Sequence, residues 1–270
     1  EDFNWMMEGY KKGIITEQRL EEALTRILGL KASLGLHAKA KTEILQPKEV
    51  AMAKMRTEKN MAIAPEISDK AITLVKNNQE LLPITPEKHK RVLLVEVKGP
   101  ESAYGKLMAA MSAGKKKPIE LMKEMLEKDG FEVEIYESPI DKMLKLPPQE
   151  LLGAIMNVYA QKRPISDLTN NYDLIINVAD VPPTTDQRIQ WAPLKGTPDI
   201  PFYVNEVPTI FVSLQCPFHL ADVPQVKTYI NAYDSHDHTV SAIVDKLVGR
   251  SEFKGVSPVD AFCGFIDTRM

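Results

Sequence analysis

Cysteine is scarce: Cys216 and Cys263 are the only two in 270 residues. That is too few for a disulfide framework or a metal cluster. Each sits among apolar neighbours, so both are expected to be buried thiols. Long hydrophobic runs are missing as well. None approaches the ~20 residues that a spanning helix needs, so no membrane partner is expected. Charge of one sign is also missing. Lys and Arg number 34 against 37 Asp and Glu, a net charge of −3. That balance makes no electrostatic case for nucleic acid or an anionic lipid surface. The run RVLLVEV (91–97) is followed by KGPESAYG rather than by Gly-x-Gly-x-x-Gly. The stretch GKLMAAMSAGKKKP (105–118) lacks the phosphate-loop order of Gly, four residues, then Gly-Lys-Ser/Thr. It reads as a solvated basic turn, and no cofactor is expected.

What remains is an ordinary globular composition, 44% apolar and 26% charged, long enough for one large or two modest domains. The opening EDFNWMMEGYKKG has no signal-peptide pattern. Phe3, Trp5, Met6, Met7 and Tyr10 are many large apolar groups for a free end. They are expected to belong to an element whose packing partners lie upstream in a longer polypeptide. The compartment, cytoplasmic or secreted, stays open on this reading.

Periodicity supplies the elements. In TEQRLEEALTRILGLKASLGL, Thr16 suits an N-cap and Gly35 a stop. Leu20, Ala23, Leu24, Ile27, Leu30 and Leu34 recur every three or four residues, a helical stripe that needs a partner surface. Residues 37–47 read as a linker. Helices are predicted over 48–60, 66–78, 118–128, 151–159 and 239–248. Strands are predicted at 91–97, 131–137, 173–179, 208–214 and 228–233. The strict alternation of FEVEIYE marks an edge strand with one wet face. The unbroken apolar runs at 174–178 and 209–214 suit strands buried on both faces of a parallel sheet. The fold class is therefore α/β: a three-layer α/β/α sandwich around a mostly parallel sheet of five or six strands. In such sheets function gathers at the carboxyl ends of strands. Here those ends are 179–180, 213–215 and 233–236.

At this point the residues resemble a known family. GIITEQRLEEALTRILGLKASLGL resembles the segment that ends the (β/α)8 barrel of glycoside hydrolase family 3. AITLVKNNQELLPI resembles the start of that family's second domain, and VPTIFVSLQCPFHLADVPQVKTYINAYDSHDHTVSAIVDKLVGRSEFKGVSPV resembles its close. Within the family, the bacterial β-N-acetylhexosaminidases look most similar. The resemblance implies that residues 1–36 are the last helices of a truncated barrel, 37–47 a linker, 48–260 the C-terminal α/β domain and 261–270 a tail. It implies a bacterial enzyme that removes terminal β-linked N-acetylglucosamine with retention, and a fragment that is inactive alone. The implied partners are the N-terminal (β/α)8 barrel of the same polypeptide and, through it, a carbohydrate substrate.

The family's barrel motifs, a nucleophilic Asp and a Lys-His-x-Pro-Gly-His-Gly loop, do not occur here. In the β-glucosidase branch the acid/base is a Glu on a loop after the strand matching 173–179. This chain has ADVPPTTDQRIQW there, with Asp180 and Asp186 but no Glu. No catalytic residue is therefore assigned. Asp180 and Asp186 are in the first place turn-stabilising residues. The cluster DSHDH (234–238) offers metal-ligand types, but Asp234, Ser235 and Asp237 also sit where the next helix wants N-caps, so no metal is assigned. Asp180, Arg188 and His236 are left as candidates for contact with substrate. Two other readings stay open: a stand-alone α/β binding or structural module, and the same domain of a β-glucosidase or phosphorolytic relative.

Overall fold

The computed structural model describes residues 1–55, 57–97, 99, 116–181, 189 and 196–270. The chain divides into two compact units, Glu1–Met61 and Ala62–Met270.

The first unit holds helices Asp2–Lys11, Glu17–Ser33, Lys41–Ile44 and Lys48–Met55. Thr16 caps the second helix as expected, its hydroxyl accepting from the Arg19 amide, and Gly35 follows with φ +66°. The stripe is not buried within the unit: Leu24, Ile27, Leu30 and Leu34 are all exposed.

The second unit is built on a six-stranded sheet: β1 (Thr73–Asn77), β2 (Arg91–Val97), β3 (Glu132–Ile135), β4 (Leu174–Ala179), β5 (Thr209–Ser213) and β6 (Thr228–Asn231). Their order is β1-β6-β5-β4-β2-β3. All pairings are parallel except that of β1 with β6. β4 and β5 are buried along their whole length, and β3 is an edge strand whose glutamates face water, as their patterns required. Arg91 fastens the start of β2 to that of β4: its Nη2 donates to Asp173 Oδ1 at 2.7 Å and its amide to Oδ2 at 2.8 Å.

One face of the sheet (Val92, Leu94, Leu174, Ile176, Ile210, Val212, Ile230) packs against helices Pro118–Lys128 and Asp237–Leu247. The other face is covered mostly by short helices and turns, with Tyr203, Leu168, Leu220 and Val223 as the main covering side chains. Helices on one side and, among the described residues, mostly short helices and turns on the other make an α/β sandwich.

Several boundaries differ from the sequence reading. The helix expected over 66–78 ends at Ala71, and the chain continues as strand β1. The residues Ile72, Thr73, Leu74 and Val75 satisfy either period over so short a span. The open edge of β6 decides in favour of the strand. The single helix expected at 48–60 is two, Lys48–Met55 and Glu58–Ala71. The strand expected to reach 233 stops at Asn231, because Tyr233 takes φ +64°, a left-handed conformation that breaks an extended run.

Lys246 would be placed on a wet helix face by its charge, yet its side chain is wholly buried. Its Nζ donates to Asp69 Oδ1 (2.9 Å), Ser251 Oγ (3.1 Å) and the Glu252 carbonyl (2.6 Å). One ammonium thus ties helix Glu58–Ala71 to helix Asp237–Leu247 and to the segment beyond it. Lys246→Met keeps the volume but removes the donor shared by three acceptors; Asp69 Oδ1 keeps only the Ser251 hydroxyl, and the Glu252 carbonyl loses its ammonium partner. Asp69 is partly exposed and can rehydrate, so a loss of about 2 kcal/mol is expected in urea unfolding.

Candidate functional site

The parallel strands β4, β5 and β6 end side by side, and the residues just beyond them form a polar row. After β4, Asp180 is exposed and its Oδ1 accepts from Gln215 Nε2 at 2.6 Å. Gln215 lies two residues past β5, and its Nε2 also reaches Ser235 Oγ at 3.5 Å. Ser235 follows the left-handed turn at Tyr233, which swings residues 234–236 away from the line of β6.

The row ends in a carboxylate–imidazole group. Asp234 Oδ1 lies 2.5 Å from His236 Nδ1, and its Oδ2 accepts from the Thr239 hydroxyl at 2.7 Å. Partial burial works against ionisation, but hydrogen bonds from Thr239 and His236 hold the Asp234 carboxyl below its usual range. His238 stacks on His236, with centroids 5.6 Å apart and planes within 16°. With Nδ1 engaged by Asp234, the exposed His236 ring presents Nε2 outward. The arrangement offers a carboxylate, an amide, a hydroxyl and an imidazole, the donor and acceptor set that recognises hydroxyl-rich ligands.

Two of the three sequence candidates, Asp180 and His236, therefore share one edge. Arg188 and Asp186 lie outside the described residues. Gln215, Ser235 and His238 fell inside the strand ends and the polar cluster marked in the sequence but were not singled out as candidates. Only strand adjacency places them together, and the one signal available was their position just after predicted strands.

The expected N-caps need correction. The last long helix starts at Asp237, its N-cap is His236, and no side chain caps it. Asp234 instead binds Thr239 inside the first turn. Among the described residues, no group of three or more His, Cys, Asp or Glu side chains is placed to hold a metal ion. Cys216 is a buried thiol, but Cys263 is only partly buried, in a turn at φ +52°.

Beneath the row, Ser213 donates to the Cys216 carbonyl at 2.5 Å. Its single proton is thereby committed, so His219 Nδ1, 2.9 Å away, is the donor to Ser213 Oγ. His219 Nε2 is buried and finds no hydrogen-bond partner among the described residues. Burial pushes the imidazole down to about 4, against a small opposing effect of Asp222. His219 is thus a neutral strut under the site.

A six-stranded, mostly parallel α/β sandwich with its polar row at the carboxyl edge defines the class of the second unit. No protein-family model matches the chain. A protein of Cellulomonas fimi described as a beta-N-acetylglucosaminidase/beta-glucosidase is 36% identical over 273 residues, which take in 100% of this chain and 44% of that protein. The solved structure of a beta-glucoside phosphorylase, BglX, is 38% identical with a TM-score of 0.66, covering 99% of this chain and 43% of that one. A glycoside hydrolase family 3 beta-N-acetylglucosaminidase from Paenibacillus sp. str. FPU-7 is 20% identical with a TM-score of 0.45, covering 94% of this chain and 41% of that one. The chain spans less than half the length of the relatives it matches. Among the described residues, no helix is long and apolar enough to cross a membrane.

Proposed function

We propose that the chain is the C-terminal α/β part of a glycoside hydrolase family 3 polypeptide, and that residues 1–36 belong to the end of its (β/α)8 barrel. The observation that carries this is the end-to-end match, at 36–38% identity, to two carbohydrate-active relatives of which the chain fills under half. On this reading catalysis belongs to the barrel. The exposed stripe of Leu24, Ile27, Leu30 and Leu34 packs within the complete polypeptide. Asp180 and His236 stand at a wall of the cleft, where they contact the sugar. Its substrate is a terminal β-linked N-acetylglucosamine, cleaved with retention. A second reading keeps the domain and changes the acceptor from water to phosphate, and the likeness to a beta-glucoside phosphorylase favours it.

The test uses nitrophenyl N-acetylglucosaminide and nitrophenyl glucoside, each with and without inorganic phosphate. The 270 residues alone are expected to release no nitrophenol, and the longer polypeptide to release it. In the longer polypeptide, Asp180→Ala and His236→Ala are each expected to raise KM about fivefold with a smaller change in kcat, the loss of one hydrogen bond to bound sugar. Turnover by the 270 residues alone would overturn the reading. So would wild-type KM in both variants.

A further inference from the structure

A second polar cleft lies at the far edge of the sheet, away from the row. It is an open depression of about 360 Å³ in the second unit, against the wet face of edge strand β3. Leu93, buried, lies at its base. Tyr136 and Tyr172 line it with Glu134, Arg163 and Asp167. Three of these side chains, Tyr172, Glu134 and Arg163, are held in place. The Tyr172 hydroxyl donates to Glu134 Oε2 at 2.7 Å. Arg163 Nη2 donates to the Val158 carbonyl at 2.7 Å, which fixes the guanidinium. Gly196, at φ +77°, lets the opposite wall approach closely, since a Cβ there would sit 2.9 Å from the Arg163 carbonyl oxygen.

The chemistry selects a ligand class. Two carboxylates stand against one guanidinium, while Lys142 and Glu137 at the same cleft face each other at 3.6 Å. An anion would meet Glu134 and Asp167, and a cation would meet Arg163. A neutral ligand rich in hydroxyls can donate to the carboxylates, accept from the guanidinium and lay its C–H faces on the tyrosine rings. The volume suits one or two such rings, near the lower end of small-molecule sites. We infer that this cleft is a carbohydrate-binding subsite, separate from the polar row at the carboxyl edge. The inference rests on the carbohydrate reading above for its choice of probes.

The experiment is an amide chemical-shift titration of the 270-residue chain with cellobiose and with N,N′-diacetylchitobiose. Shifts are expected at Glu134, Tyr136, Asp167 and Tyr172, with a Kd on the order of a millimolar for at least one disaccharide. Glu134→Gln and Asp167→Asn alter exposed side chains and are expected to leave the fold intact. Each is expected to weaken binding about fivefold. The inference is overturned if neither sugar shifts these amides at about twenty times that concentration. It is also overturned if both variants bind as the parent does, or if the shifts fall only at Asp180, Gln215 and His236. That last result would leave the proposed function standing. Cleft binding with unchanged KM in the Asp180 and His236 variants would do the reverse.

Discussion

Between pH 6.5 and pH 4 the protein is expected to lose roughly 3 kcal/mol of folding stability through one side chain, His219. The imidazole is buried and neutral in the fold, with its pKa depressed to about 4 from an ordinary 6.5. In that interval the unfolded chain binds a proton that the folded chain refuses. The contribution of His219 is therefore complete above pH 6.5, falls as the solution is acidified, and is gone at pH 4. His89, lowered by burial and by Lys88, acts in the same sense. Asp69, Asp173 and Asp234 are held below the usual carboxylate range and lose their contributions only at lower pH. Asp199, raised by burial, works in the opposite direction. Urea midpoints at intervals from pH 7 to pH 4 would trace the loss. In His219→Gln the same curve should flatten markedly. A wild-type profile that stays level over this window would remove His219 as its cause.

Gly255→Ala is the other large effect. A Cβ at this position would lie 2.4 Å from the Ala71 carbonyl oxygen, 2.5 Å from that of Ile72 and 2.7 Å from Thr73 Oγ1. Two of these are backbone atoms at the junction where helix Glu58–Ala71 passes into β1, so no side-chain rotation relieves the overlap. Thr73 Oγ1 also donates to the Ala71 carbonyl and accepts from the Tyr233 hydroxyl. Moving the junction therefore disturbs the turn that aims residues 234–236. A loss of about 3 kcal/mol is expected. Gly153→Ala is the matched control: nothing lies within 4 Å of its added methyl, inside helix Pro148–Ala160. It should be neutral or stabilising by up to about 1 kcal/mol. Equal midpoints for the two variants would show that the contact at Gly255 yields easily.

Much of the second unit was legible in its sequence because its strands are extreme cases. The runs at 174–178 and 209–214 are apolar throughout, which only a strand buried on both faces or a core helix explains, and their lengths favour the strand. The alternation at 131–137 marked the wet edge just as plainly. β1 was not legible, since five residues are too few to separate two periods and its partner lies far along the chain. Lys246 was hidden by its own charge, because nothing near it in sequence announces that Asp69 comes to meet it. The site was half legible. Strand ends pointed to Asp180 and His236, but which ends are neighbours is a property of the sheet order. Gln215, the side chain that joins Asp180 to Ser235, was therefore marked only as part of a strand end.

The antiparallel pairing of β1 with β6 also has a consequence for how the chain is made. Within the second unit, the first strand to be synthesised pairs with the last. A ribosome must therefore deliver residue 231 before Thr73–Asn77 finds its place. Until then the nascent polypeptide carries a finished strand without a neighbour, and Leu74 and Val75 have nothing to pack on. Such non-local pairing slows folding and leaves the waiting segment open to association with other chains. Translation stalled before β6 should yield a sheet of β5, β4, β2 and β3 with the Thr73–Asn77 segment still unpaired and sticky.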